Sequence, residues 1–113
     1  MNGTPILLCS NFTFVSGAGG GAINFPWLGF DGTIKTADLV IEVKLVSSGT
    51  VTVSIDASTD TTMPSPLGST AVSAVGTTTT AISAGLLPLV RLVLSSAGTA
   101  GITLTVTLVP KHD

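Results

Sequence analysis

Leu45-Val46-Ser47-Ser48-Gly49-Thr50-Val51-Thr52-Val53 and Leu92-Val93-Leu94-Ser95-Ser96-Ala97-Gly98-Thr99-Ala100-Gly101-Ile102-Thr103-Leu104-Thr105-Val106 share one grammar. Each is an apolar strand, a Ser/Gly turn, and a strand alternating threonine with an aliphatic residue. Serine and glycine accept turn conformations, and β-branched residues fit a pleated, half-buried surface. Read locally, each stretch is an antiparallel hairpin. The two lie nearly half a chain apart, and two such hairpins on opposing sheets would enclose a core about 10 Å thick.

Neighbouring segments extend the pattern. Along 38–46, Leu39, Ile41, Val43 and Leu45 alternate with Val40, Glu42, Lys44 and Val46, which puts the first set inside. Along 51–57, Val51, Val53, Ile55 and Ala57 face in, and Thr52, Ser54 and Asp56 face water. Ile102, Leu104, Val106 and Leu108 repeat the arrangement. Phe12 and Phe14 mark a short strand, and Pro5 to Ser10 a first strand or an extended arm. Residues 58–69 read as a loop and 70–75 as a short strand. Thr77 to Thr80 are extended through β-branching, with no partner assigned. No segment of helical length has a helical period. The expected fold is all-β, a small antiparallel β-sandwich or jelly-roll-like barrel of seven to eight strands. It is one domain, with residues 31–113 as the sandwich core and residues 1–30 as an N-terminal arm and edge strands around a glycine-rich loop.

Charged residues make up 9% of the 113 residues, against about 25% in average globular chains. Threonine, serine and glycine fill the gap, so the surface is polar through hydroxyls. Sheet edges are ordinarily kept apart by charge or proline. A chain this short of charge is expected to have part of its surface covered in use. The net charge of −2 and four basic residues argue against nucleic acid and anionic membrane surfaces as partners. No uninterrupted apolar run is long enough to span a bilayer as a helix, and the aromatic girdles of an outer-membrane barrel are missing. The single cysteine, Cys9, rules out an intrachain disulfide and suits a reducing compartment. The N-terminal run lacks the positive region of an export signal.

Several chemical patterns do not hold up. Gly17-Ala18-Gly19-Gly20-Gly21-Ala22 matches a dinucleotide fingerprint, but that mechanism needs a following helix N-terminus, and Ile23-Asn24-Phe25-Pro26-Trp27 will not start one. Asp56 and Asp60 lack the ligand spacing of a calcium loop. Asp38 and Glu42 have lysines beside them, Lys35 and Lys44, and read as solvated ion pairs. His112 is the only histidine and lies beside the last residue, a poor base for a catalytic triad. One cysteine and one histidine cannot close a zinc site. The expectation is a non-enzyme with no cofactor, no metal and no catalytic residue.

Phe25, Trp27, Leu28 and Phe30, with Phe12 and Phe14 nearby, admit two readings. They plug one end of the sandwich, or they anchor a partner, since Trp and Phe dominate interface hot spots. Arg91 interrupts an apolar strand and belongs on an outer face or in an ion pair across a subunit interface. Phe12, Phe14, Phe25, Trp27, Leu28, Phe30 and Arg91 are therefore the candidate partner-interface residues.

The run Ser48-Gly49-Thr50-Val51-Thr52-Val53-Ser54-Ile55-Asp56-Ala57-Ser58-Thr59-Asp60, followed by Pro88-Leu89-Val90-Arg91-Leu92-Val93-Leu94-Ser95-Ser96-Ala97-Gly98-Thr99, resembles small β-sandwich virion proteins of tailed bacteriophages. The resemblance reaches from Ala37 to Val109. It departs from the pattern at Thr61-Thr62-Met63-Pro64, where many such chains carry Gly-Thr-Asn-Trp, and in the aromatic N-terminal arm. It implies a capsid decoration (cement) protein without chemistry, on the capsid surface of a virion assembled in the host cytoplasm. The implied partners are the major capsid protein and further copies of the chain, in an expected trimer. The alternatives are a tail or head-fibre module and a carbohydrate-binding sandwich presenting Trp27 near a carboxylate. On this reading the segment before Gly32 reaches a neighbour, so its removal should spare the sandwich and abolish particle binding.

Overall fold

The alternation along 51–57 is realised residue for residue: Val51, Val53, Ile55 and Ala57 are fully buried, and Thr52, Ser54 and Asp56 lie on the opposite face. The computed structural model describes residues 4–29, 36–60, 65–82 and 89–111. Phe30, the Asp31-Gly32-Thr33 turn, Lys35, Thr61 to Pro64, Pro88 and His112 lie outside the described residues. Nine strands occupy the described chain: β1 (Ile6–Ser16), β2 (Gly21–Asn24), β3 (Leu28–Gly29), β4 (Thr36–Ser48), β5 (Val51–Ser58), β6 (Ser65–Val72), β7 (Gly76–Ile82), β8 (Leu89–Ser96) and β9 (Ala100–Lys111).

They form two antiparallel sheets. Sheet A has the order β1-β9-β4-β7 and sheet B the order β2-β8-β5-β6, with β3 also paired to β8. If β2 and β3 are taken as one edge strand interrupted around Pro26, eight strands fill two four-stranded sheets. Each strand of one sheet then sits opposite its chain neighbour in the other: β1 with β2, β4 with β5, β7 with β6, β9 with β8. This is jelly-roll topology. The excess over seven to eight strands comes from β2 and β3, too short to register separately in the sequence pattern.

The two Ser/Gly turns are not hairpins. β4 lies in sheet A and β5 in sheet B, while β8 lies in sheet B and β9 in sheet A. Each turn therefore carries the chain across the core from one sheet to the other. Tight hairpins favour Asn-Gly or Asp-Gly pairs, which neither turn has. The flanking strands find longer partners elsewhere: β4 pairs β9 from Thr36↔Lys111 to Ser48↔Gly101, and β5 pairs β8 from Thr52↔Ser95 to Ser58↔Leu89. Crossing over lets Leu39, Ile41 and Val43 face the apolar side of β5 across the interior.

Leu45 faces out of the sandwich rather than into the core. The register of β4 on β9 shifts between Val43 and Leu45, so the alternation changes phase at Lys44. Leu45 lies on the outer face opposite Thr103 and is 60% exposed, while Val46 turns inward and packs against the core. One extra residue in a strand reverses the facing of everything after it. Residues 65–69, read as loop, open β6, and Thr77 to Thr80 do pair, lying in β7 along β4.

The core is aliphatic apart from Cys9 and Phe14, and Phe14 is 1% exposed. Ile102, Leu104, Val106 and Leu108 on β9 meet Val90, Leu92 and Leu94 on β8. The molecule measures 40 × 30 × 19 Å, and its thin dimension is that of two packed sheets. Residues 4–29 are built into this body: β1 is an edge of sheet A, β2 and β3 an edge of sheet B, and Cys9 and Phe14 are core residues. A sandwich stripped of them would lose one edge from each sheet.

Candidate contact surfaces

The sequence-predicted interface residues divide between interior and surface. Phe14 belongs to the core. Phe12 on β1 and Phe25 after β2 are partly buried against it, with rings edge-to-face at 5.1 Å and 70°. Such pairing adds to the burial of the rings themselves. Because one ring comes from sheet A and the other from sheet B, the pair closes the β1/β2 side of the sandwich. The backbone N–H of Phe25 donates to the Leu92 carbonyl at 2.9 Å, which holds the segment on β8 past the end of β2. Leu28 is likewise packed against the core. For Phe12, Phe14, Phe25 and Leu28 the plug reading describes the geometry.

Trp27 is different. Its ring lies under the Arg91 guanidinium, whose central carbon is 4.6 Å from the ring centroid. Arg91 Nε and Nη2 both donate to Asp56 Oδ2, at 3.3 and 3.2 Å. The positions are dictated by register: Asp56 on β5 and Arg91 on β8 are directly opposed, both on the outer face of sheet B. The Arg91 and Asp56 side chains are only 18% and 14% exposed. Arg91 thus finds its carboxylate within its own chain. The sequence shows both residues on a wet face, but only the β5/β8 register reveals them as partners.

The outer face of sheet A has another character. Thr103, Thr105 and Thr107 on β9 run down its middle, flanked by Thr13 on β1, Val40 on β4, and Thr77 and Thr79 on β7. The hydroxyls of Thr13 and Thr103 are hydrogen-bonded at 2.9 Å, and Thr105 Oγ1 accepts from the backbone N–H of Asn11. Leu7, Val15 and Leu45 are 58%, 71% and 60% exposed on this face. Its charges are neutralised in place, Glu42 by Lys44 at 3.2 Å and Asp38 by Lys111 at 3.0 Å. Lys111 is the partner of Asp38 among the described residues; Lys35, the partner expected from the sequence, lies outside them. The face is broad, hydroxyl-rich and studded with exposed aliphatics.

Four connections cross between the sheets at one end, at 17–20, 49–50, 73–75 and 97–99. The glycine-rich segment is one of them. Gly20 N–H donates to the Gly17 carbonyl at 2.9 Å, and no helix follows. Ser16 and Ser96 both donate to the Gly98 carbonyl, at 2.7 and 3.1 Å, and Ser47 donates to that of Gly101 at 3.1 Å. The Ser16 hydroxyl ties the end of β1 to the 97–99 crossing, Ser96 braces that crossing from within, and Ser47 ties the end of β4 to the start of β9. Cys9 is buried on β1; burial pushes its thiol above the ordinary range, partly offset by a hydrogen bond with the Val106 backbone. Among the described residues no three His, Cys, Asp or Glu side chains converge as metal ligands.

No family profile and no curated protein matches this sequence. Solved structures do match its fold. The PBSX exported protein XepA superposes on 98% of the chain with a TM-score of 0.68 at 11% identity. A chain in the structure of infectious bursal disease virus, Gx strain, superposes on 96% with a TM-score of 0.50 at 16% identity. The protein spans only 38% of the first of these chains and 31% of the second. At these identities the likeness is one of fold.

Proposed function

We propose that this protein is a structural component of a virus particle, a decoration protein that lies on the capsid lattice as a homo-oligomer and braces it. The observation that carries the reading is the outer face of sheet A, a broad surface of threonine and exposed aliphatic side chains with every described charge on it internally paired. Such a face suits burial against another protein, because contact there desolvates hydroxyls and methyls and strands no lone charge. The jelly roll adds support, since capsid domains recur on it. So does the fold likeness to a chain of infectious bursal disease virus.

The test is co-sedimentation of the purified protein with particles lacking it. The expected result is saturable binding at hundreds of copies per particle, weakened by Leu45→Lys with no change in thermal stability. Binding at only a few copies would favour the tail or head-fibre reading. No binding, or binding indifferent to Leu45→Lys, would refute the assigned face. The carbohydrate reading draws on Trp27 beside Arg91 and Asp56, but the guanidinium already covers a face of the indole that a sugar ring would use. A glycan array separates the two, and hits lost in Trp27→Ala would favour the lectin.

A further inference from the structure

A four-stranded sheet has two edges, so this sandwich has four, and three of them carry a recognisable guard. β1 has two register irregularities, between Leu7 and Cys9 and between Cys9 and Phe12, with Asn11 in the left-handed region at φ 47°. The β2/β3 edge is broken around Pro26 into strands of four and two residues. β6 contains Pro66 and a register shift at Ile55/Asp56. Bulges, proline and brevity are the devices by which sheets avoid recruiting another strand.

β7 has none of them. It pairs with β4 over seven consecutive positions, Val43↔Gly76 to Ala37↔Ile82, without a shift. Its sequence Gly76-Thr77-Thr78-Thr79-Thr80-Ala81-Ile82 has no charge and no proline, and its residues are mostly exposed. Its far side offers a row of backbone donors and acceptors that no described strand uses.

We propose that β7 pairs antiparallel with β7 of a second copy about a two-fold axis, joining two four-stranded sheets into one of eight. The proposal deepens the homo-oligomer reading above by naming its surface. A two-fold through Thr79 sets Thr79 opposite its own copy, Thr78 opposite Thr80, and Thr77 opposite Ala81. All are small side chains, and Thr–Thr pairs are favourable across strands. No like charges meet, since Glu42 and Asp38 stand one strand further in, each paired with a lysine. The guards on the other edges select this partner. A strand that pairs with itself closes after two subunits, whereas a ring of three needs two different open edges. The pair also doubles the hydroxyl-rich face assigned to the capsid.

Sedimentation velocity across a dilution series tests it. The wild-type chain should approach a dimer, and Thr79→Lys, which sets two ammonium groups face to face, should weaken association about tenfold. Thr79→Cys provides a second readout that does not depend on the stability of the lysine variant. Oxidised with diamide, which takes up the two electrons and two protons released by two thiols, it should form a covalent dimer, since directly opposed strand residues have Cα spacings within disulfide range. Thr13→Cys, on the guarded β1 edge, should not. A monomeric wild type, a dimer indifferent to Thr79→Lys, or equal cross-linking at both cysteines would each overturn the proposal. Particle binding by a monomeric wild type would overturn the β7 pair and leave the decoration reading standing.

Discussion

Gly49 and Gly98 hold matching places in the two Ser/Gly stretches, yet substituting alanine should affect them very differently. Gly49 has φ 76°, and a Cβ there would lie 2.1 Å from the Thr99 carbonyl oxygen and 2.8 Å from the Ala100 Cα. The left-handed conformation alone costs an L-residue about 1–2 kcal/mol. The clash is with backbone of the adjacent crossing, so relief requires the two crossings to part, at about 1–3 kcal/mol for overpacking of this kind. Gly49→Ala should therefore destabilise by about 2–5 kcal/mol. At roughly 4 °C per kcal/mol for a domain of this size, the melting temperature should fall by about 8–20 °C. At Gly98 the nearest atom to a new Cβ is the Ala18 carbonyl oxygen at 4.0 Å, and no left-handed φ is involved. Gly98→Ala should stay within about 0.5 kcal/mol of wild type, as surface substitutions usually do. Thermal and urea unfolding followed by circular dichroism measure both. Equal shifts for the two variants, or a Gly49→Ala melting temperature within a few degrees of wild type, would refute the close backbone packing of the two crossings.

A double-mutant cycle on Asp56→Ala and Arg91→Ala should give a coupling energy of about 1–2 kcal/mol, above that of an exposed surface pair, because both side chains are mostly buried and doubly hydrogen-bonded; additive losses would disprove the pairing. Cys9 should resist thiol reagents in the native protein and react once it is unfolded. Its thiol is pushed up by burial, so the folded state holds the proton more tightly than the unfolded chain. Its contribution to stability is then complete below the unfolded thiol pKa and is lost as pH rises from there through the folded value; chemical denaturation midpoints that stay level across that alkaline range would contradict this. A chain beginning at Gly32 should show no cooperative unfolding transition. It lacks Cys9 and Phe14 from the core and Ile6, Leu8, Phe12, Ile23, Phe25 and Leu28 from its margin. At about 1.5–3 kcal/mol per fully buried large side chain, their loss rivals the roughly 5–15 kcal/mol that holds a domain together. A folded truncation would restore the idea of a detachable arm.

Where a strict period of two runs unbroken, which residues point inward is a property of local pattern and can be read directly. A period of two over Val51 to Ala57 or Ile102 to Leu108 has one physical solution, a strand with one buried face. The all-β class and the charge-poor, hydroxyl-rich exterior are likewise settled by which residues are present. Pairing is not local. A Ser-Ser-Gly turn is compatible with a hairpin and with a crossing between sheets; the choice depends on whether β9 and β8 offer β4 and β5 better partners than they offer each other. The phase change at Lys44, which exposes Leu45, depends on the opposing strand rather than on β4 itself. Asp56, Arg91 and Trp27 are visible one by one, but nothing in their spacing announces that they will stack. The aromatic residues before Phe30 admit both plug and anchor until the sheets close over Phe14 and leave Trp27 outside. Composition determined what the surface is made of, and the local period of two determined that the chain folds as layered strands. Tertiary structure alone decided which strand lies beside which, because register and edge exposure are set by residues far apart in sequence meeting across a core.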